Sequence, residues 1–344
     1  MNAVASGAPS AGASSPRTSG RSLRRRIHLL WLVLGLTVLV QLVTGRTGSI
    51  LDVVPIGLGW AAWLFVPRLP SRLVLRIHVV VMLFASAVAI GSLVVGLPGA
   101  LGEGSGFYAL KGTITTPIGD HNELAGWLLV AVAIAAGVRT RRSFALTVLG
   151  LGLGATLSRG ALVAGFGAVA IGWFLHLDRD LIRRTGSTLV IAALVVLGAV
   201  ALLDTTAPVD GPSSSAAARV ELWGVAVGDV GDHPLLGVGL GSFEETAVDV
   251  AGPHHHAHNG PLHAVAELGL IAGLLAAMRL PLATWLLLRR GSTRLAQVAG
   301  LAGLVLLLHD QVEALTFRPV YELVVGTLLA LAVQQAAKGR QVPS

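Results

Sequence analysis

The chain has 344 residues, 53% of them hydrophobic and only 12% charged, about half the charge content of a soluble domain. Its formal charge of +7 would suit a nucleic-acid partner, but the arginines flank apolar runs instead of gathering on one face, so they read as topology signals and no nucleic-acid partner is expected. Cysteine is absent, which excludes disulfides and thiolate chemistry.

Residues 1–22 are rich in Ala, Ser, Gly and Pro, and with the basic RSLRRR that follows they read as a disordered cytoplasmic leader over 1–26. The apolar run 27–44 has the basic flank of a signal peptide, but no small-residue cleavage site follows it, so it reads as a retained membrane helix. Further runs fall at 49–66, 74–97, 122–138, 143–157, 160–177, 187–203, 261–280 (extensible to 288), 295–310 and 319–336. Short polar joints separate them, the pattern of a polytopic helical membrane protein. The expected fold is all-α: an integral membrane protein of about ten transmembrane helices with one large external loop that contains an interfacial helix. Its parts are the leader 1–26, a helix bundle over 27–203, the external loop 204–260 and C-terminal helices over 261–338.

Alternating the spans from a cytoplasmic N-terminus puts 19 of the 25 lysines and arginines on the inner side. Only Arg46, Lys111, Arg159, Arg219 and Arg318 fall outside, and Arg279 lies near the inner end of its run, where it is free to snorkel. This bias places both termini in the cytoplasm and segments 98–121, 204–260 and 309–318 on the external face of the cytoplasmic membrane.

In 204–260, Val220, Trp223, Val227 and Val230 recur at helical spacing, as in a helix lying on the outer leaflet. GVGLGSF (237–243) reads as a weak phosphate loop or as a tight turn back to the membrane. HHHAHN (254–259) has three readings: a metal site, a solvated loop tip, or a catalytic group. For the last, Pro261 suits the first turn of a helix, which sets His258 and Asn259 at its N-terminal end. There the dipole and unpaired N–H groups attract a diphosphate and keep an imidazole neutral, as a general base must be. Arg159 and Arg219 either snorkel at the interface or pair with phosphate oxygens; Arg318 reads as structural. Asp120, His121, Asn122 and Glu123 cluster at the outer end of a span, where polar groups must face a cavity or each other. Glu267, two turns beyond Asn259, reads as a buried hydrogen bond between helices.

GDHNELAG (119–126), LSRGAL (157–162), RVELW (219–223), HPLLGVGLGSF (233–243) and HAHNGPLHAVAELGLIAG (256–273), in this order, resemble the O-antigen ligase/polymerase family of membrane glycosyltransferases. Asp120-His121 stands where the family usually has Asn-Pro. The resemblance implies transfer of a glycan from a polyprenyl diphosphate (undecaprenyl diphosphate in bacteria) to an acceptor hydroxyl, with inversion and without metal or other cofactor. The acceptor would be a glycan, lipid or protein, as part of polysaccharide biosynthesis at the cell envelope. By motif, His258 would be the catalytic base and Arg159 and Arg219 would hold the diphosphate, with Asn259, Glu267 and Asn122 in support. His254, His255 and His256 receive no role. A polymerase of the same family, and a transporter with a structural external loop, are the alternatives.

Overall fold

The computed structural model describes residues 17–102, 107, 110, 111, 114, 120–137, 142–203, 216–251, 256–289 and 293–338. Among these every regular element is a helix. Six helices are long and apolar enough to cross a membrane, so the chain is a multi-pass membrane protein. They are α1 (Arg17–Val43), α2 (Val54–Phe65, extended by 3-10 turns to cover Ile50–Arg68), α3 (Ser71–Gly102), α7 (Arg179–Leu202), α10 (Gly260–Arg289) and α12 (Pro319–Lys338). Four shorter apolar helices accompany them: α4 (His121–Gly137), α5 (Arg142–Ala155), α6 (Arg159–Phe174) and α11 (Arg294–His309). Two more, α8 (Ala216–Asp232) and α9 (Phe243–Ala251), belong to the loop between α7 and α10.

Each apolar run of the sequence becomes a helix because uninterrupted Leu, Val and Ala leave the backbone no other way to satisfy its hydrogen bonds in lipid. The leader expectation needs correction. Helix α1 begins at Arg17, so the basic residues before the apolar run are helical as well; Leu23 packs on the core, and exposed Arg24, Arg25 and Arg26 lie outside it.

Helix α4 sits at the centre. Its residues from Glu123 to Gly137 are all buried, and it packs against α11, α5 and α3. A helix apolar on every side belongs in such a place. At the periphery, Leu32, Leu36 and Leu39 of α1 and Val80 and Phe84 of α3 are exposed, as lipid-facing residues are.

Helix α10 is not straight. Gly269 has φ 77° and ψ 173°, and Gly273 lies against the backbone of Val265, eight residues away and about 12 Å apart by rise in a straight helix. The membrane-length arm is therefore residues 270–289, about 30 Å long, whereas the sequence suggested a span starting at 261. The break frees the Ala266 and Glu267 carbonyls, and the glycine loop takes them. Val238 N–H donates to Ala266 O at 3.0 Å and Gly239 N–H to Glu267 O at 3.1 Å, while Leu270 N–H donates to Pro234 O at 2.8 Å. Gln41 of α1 adds its amide to Glu267 O at 2.8 Å. GVGLGSF is thus a backbone plug for a broken helix, not a phosphate loop. Gly237 and Gly239 have φ of 66° and 118° and lie hard against Glu267 and Arg46 backbone, so side chains there would clash and strain together.

The snorkelling reading of Arg279 is overturned. Its side chain is fully buried and forks onto Glu322 of α12, Nη1 to Oε2 at 2.5 Å and Nη2 to Oε1 at 2.6 Å. The guanidinium also lies 4.8 Å from the Trp31 ring centre. This pair sits about 14 Å into the 270–289 arm. With both partners closed on each other and no accessible surface, it is a clamp between α10, α12 and α1, not a transport site.

Candidate active site

Helix α8 organises the loop between α7 and α10. Its Leu222 and Ala226 pack with Phe243 and Ala247 of α9, Ala257 and Ala266 in a small separate core. Val220, Trp223 and Val227 stay exposed on the other side, where an outer leaflet would meet them; Val230, expected with them, packs on the core instead. Trp223 Nε1 donates to Ala257 O at 2.8 Å. That bond fixes the backbone next to His258.

His258 has a left-handed backbone, φ 48°, a conformation that costs a non-glycine residue about 1 kcal/mol or more. The turn brings Asn259 into the N-cap of α10, where its Oδ1 accepts from Leu262 N–H at 3.0 Å. Gly260 N–H donates to Asp310 O at 2.7 Å and His263 N–H to Asn259 O at 2.9 Å, and Pro261 has no N–H to offer. The expectation of unpaired N–H groups for a diphosphate therefore fails. The first turn of α10 spends its donors on the chain itself.

The connector 310–318 supplies what the sequence did not point to. His258 Nδ1 lies 3.0 Å from Glu313 Oε1, with both side chains largely buried. Burial alone would push the Glu313 carboxyl up, but the His258 hydrogen bond and the charges of His258, His309 and Arg219 outweigh it and hold Glu313 below the usual carboxylate range. A carboxylate there accepts the Nδ1–H and leaves Nε2 as the free base. One residue earlier, Val312 O accepts from Arg219 Nη1 at 2.9 Å. The same turn therefore carries the partner of His258 and anchors Arg219.

Arg159 opens α6, which is capped by Ser158. Ser158 Oγ donates to Asn122 Oδ1 at 3.0 Å, and Asn122 O lies 3.0 Å from His309 Nε2. Asn122 thus ties the start of α6 to α4 and to the end of α11, a supporting role for the segment in front of Arg159. The Arg159 guanidinium lies 5.8 Å from the Phe107 ring centre. Lys111, given no role above, joins the group: burial lowers its ammonium pKa, Arg159 and Arg219 lower it further, and Glu313 and Asp120 oppose them. Three cations thus share one field beside the His258–Glu313 pair.

Glu267 is elsewhere. Its Oε1 accepts from Gly241 N–H at 3.0 Å and lies 3.6 Å from His263 Nε2, and the Phe243 backbone that opens α9 also hydrogen-bonds its carboxyl, so it braces the glycine loop and ties α10 to the start of α9, away from His258. Arg318 pairs with Glu123, Nε to Oε1 at 2.6 Å, and contacts His256, in keeping with a structural role. His254 and His255 lie outside the described residues. Among the described residues no group of three or more His, Asp or Glu side chains is placed to hold a metal ion.

Residues 144–277 match the family model described as O-antigen ligase. That stretch of the chain belongs to the O-antigen ligase family. It runs from α5 into the lower half of the kinked α10 and holds Arg159, Arg219, His258, Asn259 and Glu267. Asn122 and Glu313 fall outside it, although both touch residues within it. A comparison with curated proteins finds no match. The chain is thus a multi-pass membrane protein with a central stretch similar to the O-antigen ligase family.

Asp310 gives this site a pH dependence. Burial raises its carboxyl to about 7, against hydrogen bonds from Leu315 N–H, Thr316 and Tyr321. A folded-state pKa above the unfolded value of about 4 means the native connector binds the extra proton, so its stability is greatest in acid and falls as pH rises from about 4 to 7. The loss reaches up to about 4 kcal/mol. Hydrogen exchange in 310–318, corrected for its intrinsic rate, should therefore accelerate between pH 5 and 8, and Asp310→Asn should flatten that rise. Equal protection at both pH values contradicts the assignment.

Proposed function

We propose that the protein transfers a glycan from a polyprenyl diphosphate in the outer leaflet to an acceptor hydroxyl, at the external face of the cytoplasmic membrane. In this reading the four shorter apolar helices also span, which makes ten spans with both termini inside; the positive-inside bias of the sequence supports that orientation. The observation that carries the chemistry is the His258–Glu313 pair beside Arg219, which is bonded to the carbonyl next to Glu313.

His258 Nε2 takes the proton of the acceptor hydroxyl while Glu313 steadies the imidazolium that forms. The acceptor oxygen bonds to the anomeric carbon, and the bond from that carbon to the diphosphate oxygen breaks. The leaving polyprenyl diphosphate keeps the electron pair, and Arg159, Arg219 and Lys111 meet its growing charge. Attack opposite the leaving group inverts the anomeric carbon. A polymerase of the family would use the same centre and differ in its acceptor.

Donor use tests the arginines. Arg159→Ala and Arg219→Ala should each reduce kcat/KM for the lipid-linked donor by about 10²-fold or more, the loss of one or two charge-assisted bonds. Lysine at either position should recover only part of this, because it cannot present a planar fork. Full donor use in both alanine variants overturns the diphosphate assignment.

A further inference from the structure

A cavity of about 290 Å³ opens between the start of α2, the glycine loop, the first turns of α10 and the connector, with His256, two residues before His258, in its wall. Asp52, Glu244, Glu267, His256, His263 and Arg318 supply its polar walls. Its volume is at the small end of ligand pockets, roughly 300–1,000 Å³, and suits one sugar ring.

Three features say what fits there. First, the Asp52 and Glu244 carboxylates and the Glu267 carboxyl, which burial raises to about 8, face one guanidinium, and that guanidinium is already paired with Glu123 at 2.6 Å. Such walls repel a diphosphate, which the Arg159–Arg219–Lys111 side attracts. Second, His263 is 6% exposed, and its ring is fixed edge-on to Phe243 and His256, at 5.3 and 5.5 Å between centres. Its Nδ1 is buried without a hydrogen-bond partner. A buried polar atom in that state needs a ligand or water to complete it. Third, Phe317 adds an apolar face among these polar groups. Carboxylates that accept, an imidazole and a guanidinium that donate, and an aromatic plane together match a hydroxyl-rich ring.

We propose that this cavity binds the terminal sugar of the acceptor, with His263, Glu244 and Asp52 as its hydrogen-bonding groups. The assignment rests on the transfer reading above and divides the site into two sides. The donor diphosphate lies with the cations, and the acceptor sugar lies with the carboxylates. His256 lines the cavity and His258 holds the base only two residues, about 7 Å of extended chain, further on. A hydroxyl of a sugar bound here is therefore delivered to His258 Nε2, and His256 gains a place as part of the shared wall.

Saturation-transfer NMR on the full-length protein in nanodiscs tests this with two kinds of probe: methyl glycosides of glucose, galactose, mannose, arabinose and glucosamine, and inorganic pyrophosphate. The wild type should bind at least one glycoside. His263→Phe, which keeps the aromatic packing, and Glu244→Gln at the mouth should each weaken that binding about tenfold, the loss of one good hydrogen bond. Arg219→Ala should instead lose pyrophosphate and keep the glycoside. Circular dichroism melts of each variant establish that it is folded. Absence of binding to every glycoside, or binding unchanged in both cavity variants, overturns the proposal. If glycosides bind as described but no lipid-linked donor is consumed, the transfer reading fails and the sugar site stands.

Discussion

His258→Ala should lower glycan transfer by about 10²- to 10⁴-fold, the range for removing a general base, with donor binding unchanged. His258 is held on its Nδ1 side by Glu313 at 3.0 Å and by a left-handed turn that Asn259 completes as the α10 cap. Glu313→Gln should therefore act in the same direction and less severely, by about 10²-fold, because the amide oxygen still accepts the Nδ1–H but cannot stabilise an imidazolium. The two changes should not add when combined, since each removes part of one unit. Steady-state kinetics with saturating donor distinguish these outcomes. A Glu313→Gln enzyme as active as wild type contradicts the pairing, and full activity in His258→Ala contradicts the base.

The second large effect is on folding. Arg279→Ala leaves Glu322 charged and buried with no partner, a loss of about 3–5 kcal/mol against a total stability of about 5–15 kcal/mol. The variant should melt far below wild type in detergent or fail to accumulate. Replacing both partners, Arg279→Met with Glu322→Met, should recover most of the melting temperature, because an apolar pair of similar length fills the space without a buried charge. A single alanine variant that melts with the wild type means that the clamp contributes nothing.

The helices were legible because lipid imposes one solution on long apolar runs, and each run between Ile27 and Ala336 became one. Where the chain departs from that rule, the cause is a contact distant in sequence. The break at Gly269 depends on Val238 and Gly239 lending their N–H groups from 28 residues or more upstream, and nothing local to ELGLIAG announces it. Arg279 read as a snorkelling residue because its partner Glu322 is 43 residues away. The N-terminus of α10 read as an anion site because Asn259 and the Asp310 carbonyl, which consume its donors, meet only in the fold.

The site shows the same division. Arg159, Arg219 and His258 stand in short motifs, and the structure gathers them around Lys111 and Glu313. Glu313 had no such signal: an acidic residue in the connector 310–318 resembles any solvated loop residue until His258 is placed against it. Lys111 was visible as one of five external cations, and only its burial beside Arg159 and Arg219 separates it from a topology signal. Glu267 carried the right motif but serves the glycine loop and the neighbouring cavity.

One measurement bears on all of this. The purified protein, treated with chelator, is mixed with a polyprenyl-diphosphate glycan labelled in both halves and an acceptor saccharide or glycolipid. Equal amounts of glycosylated acceptor and free polyprenyl diphosphate are expected, with the anomeric configuration inverted. A donor left intact by the wild type in the presence of every acceptor, or a product that retains the donor's anomeric configuration, contradicts it.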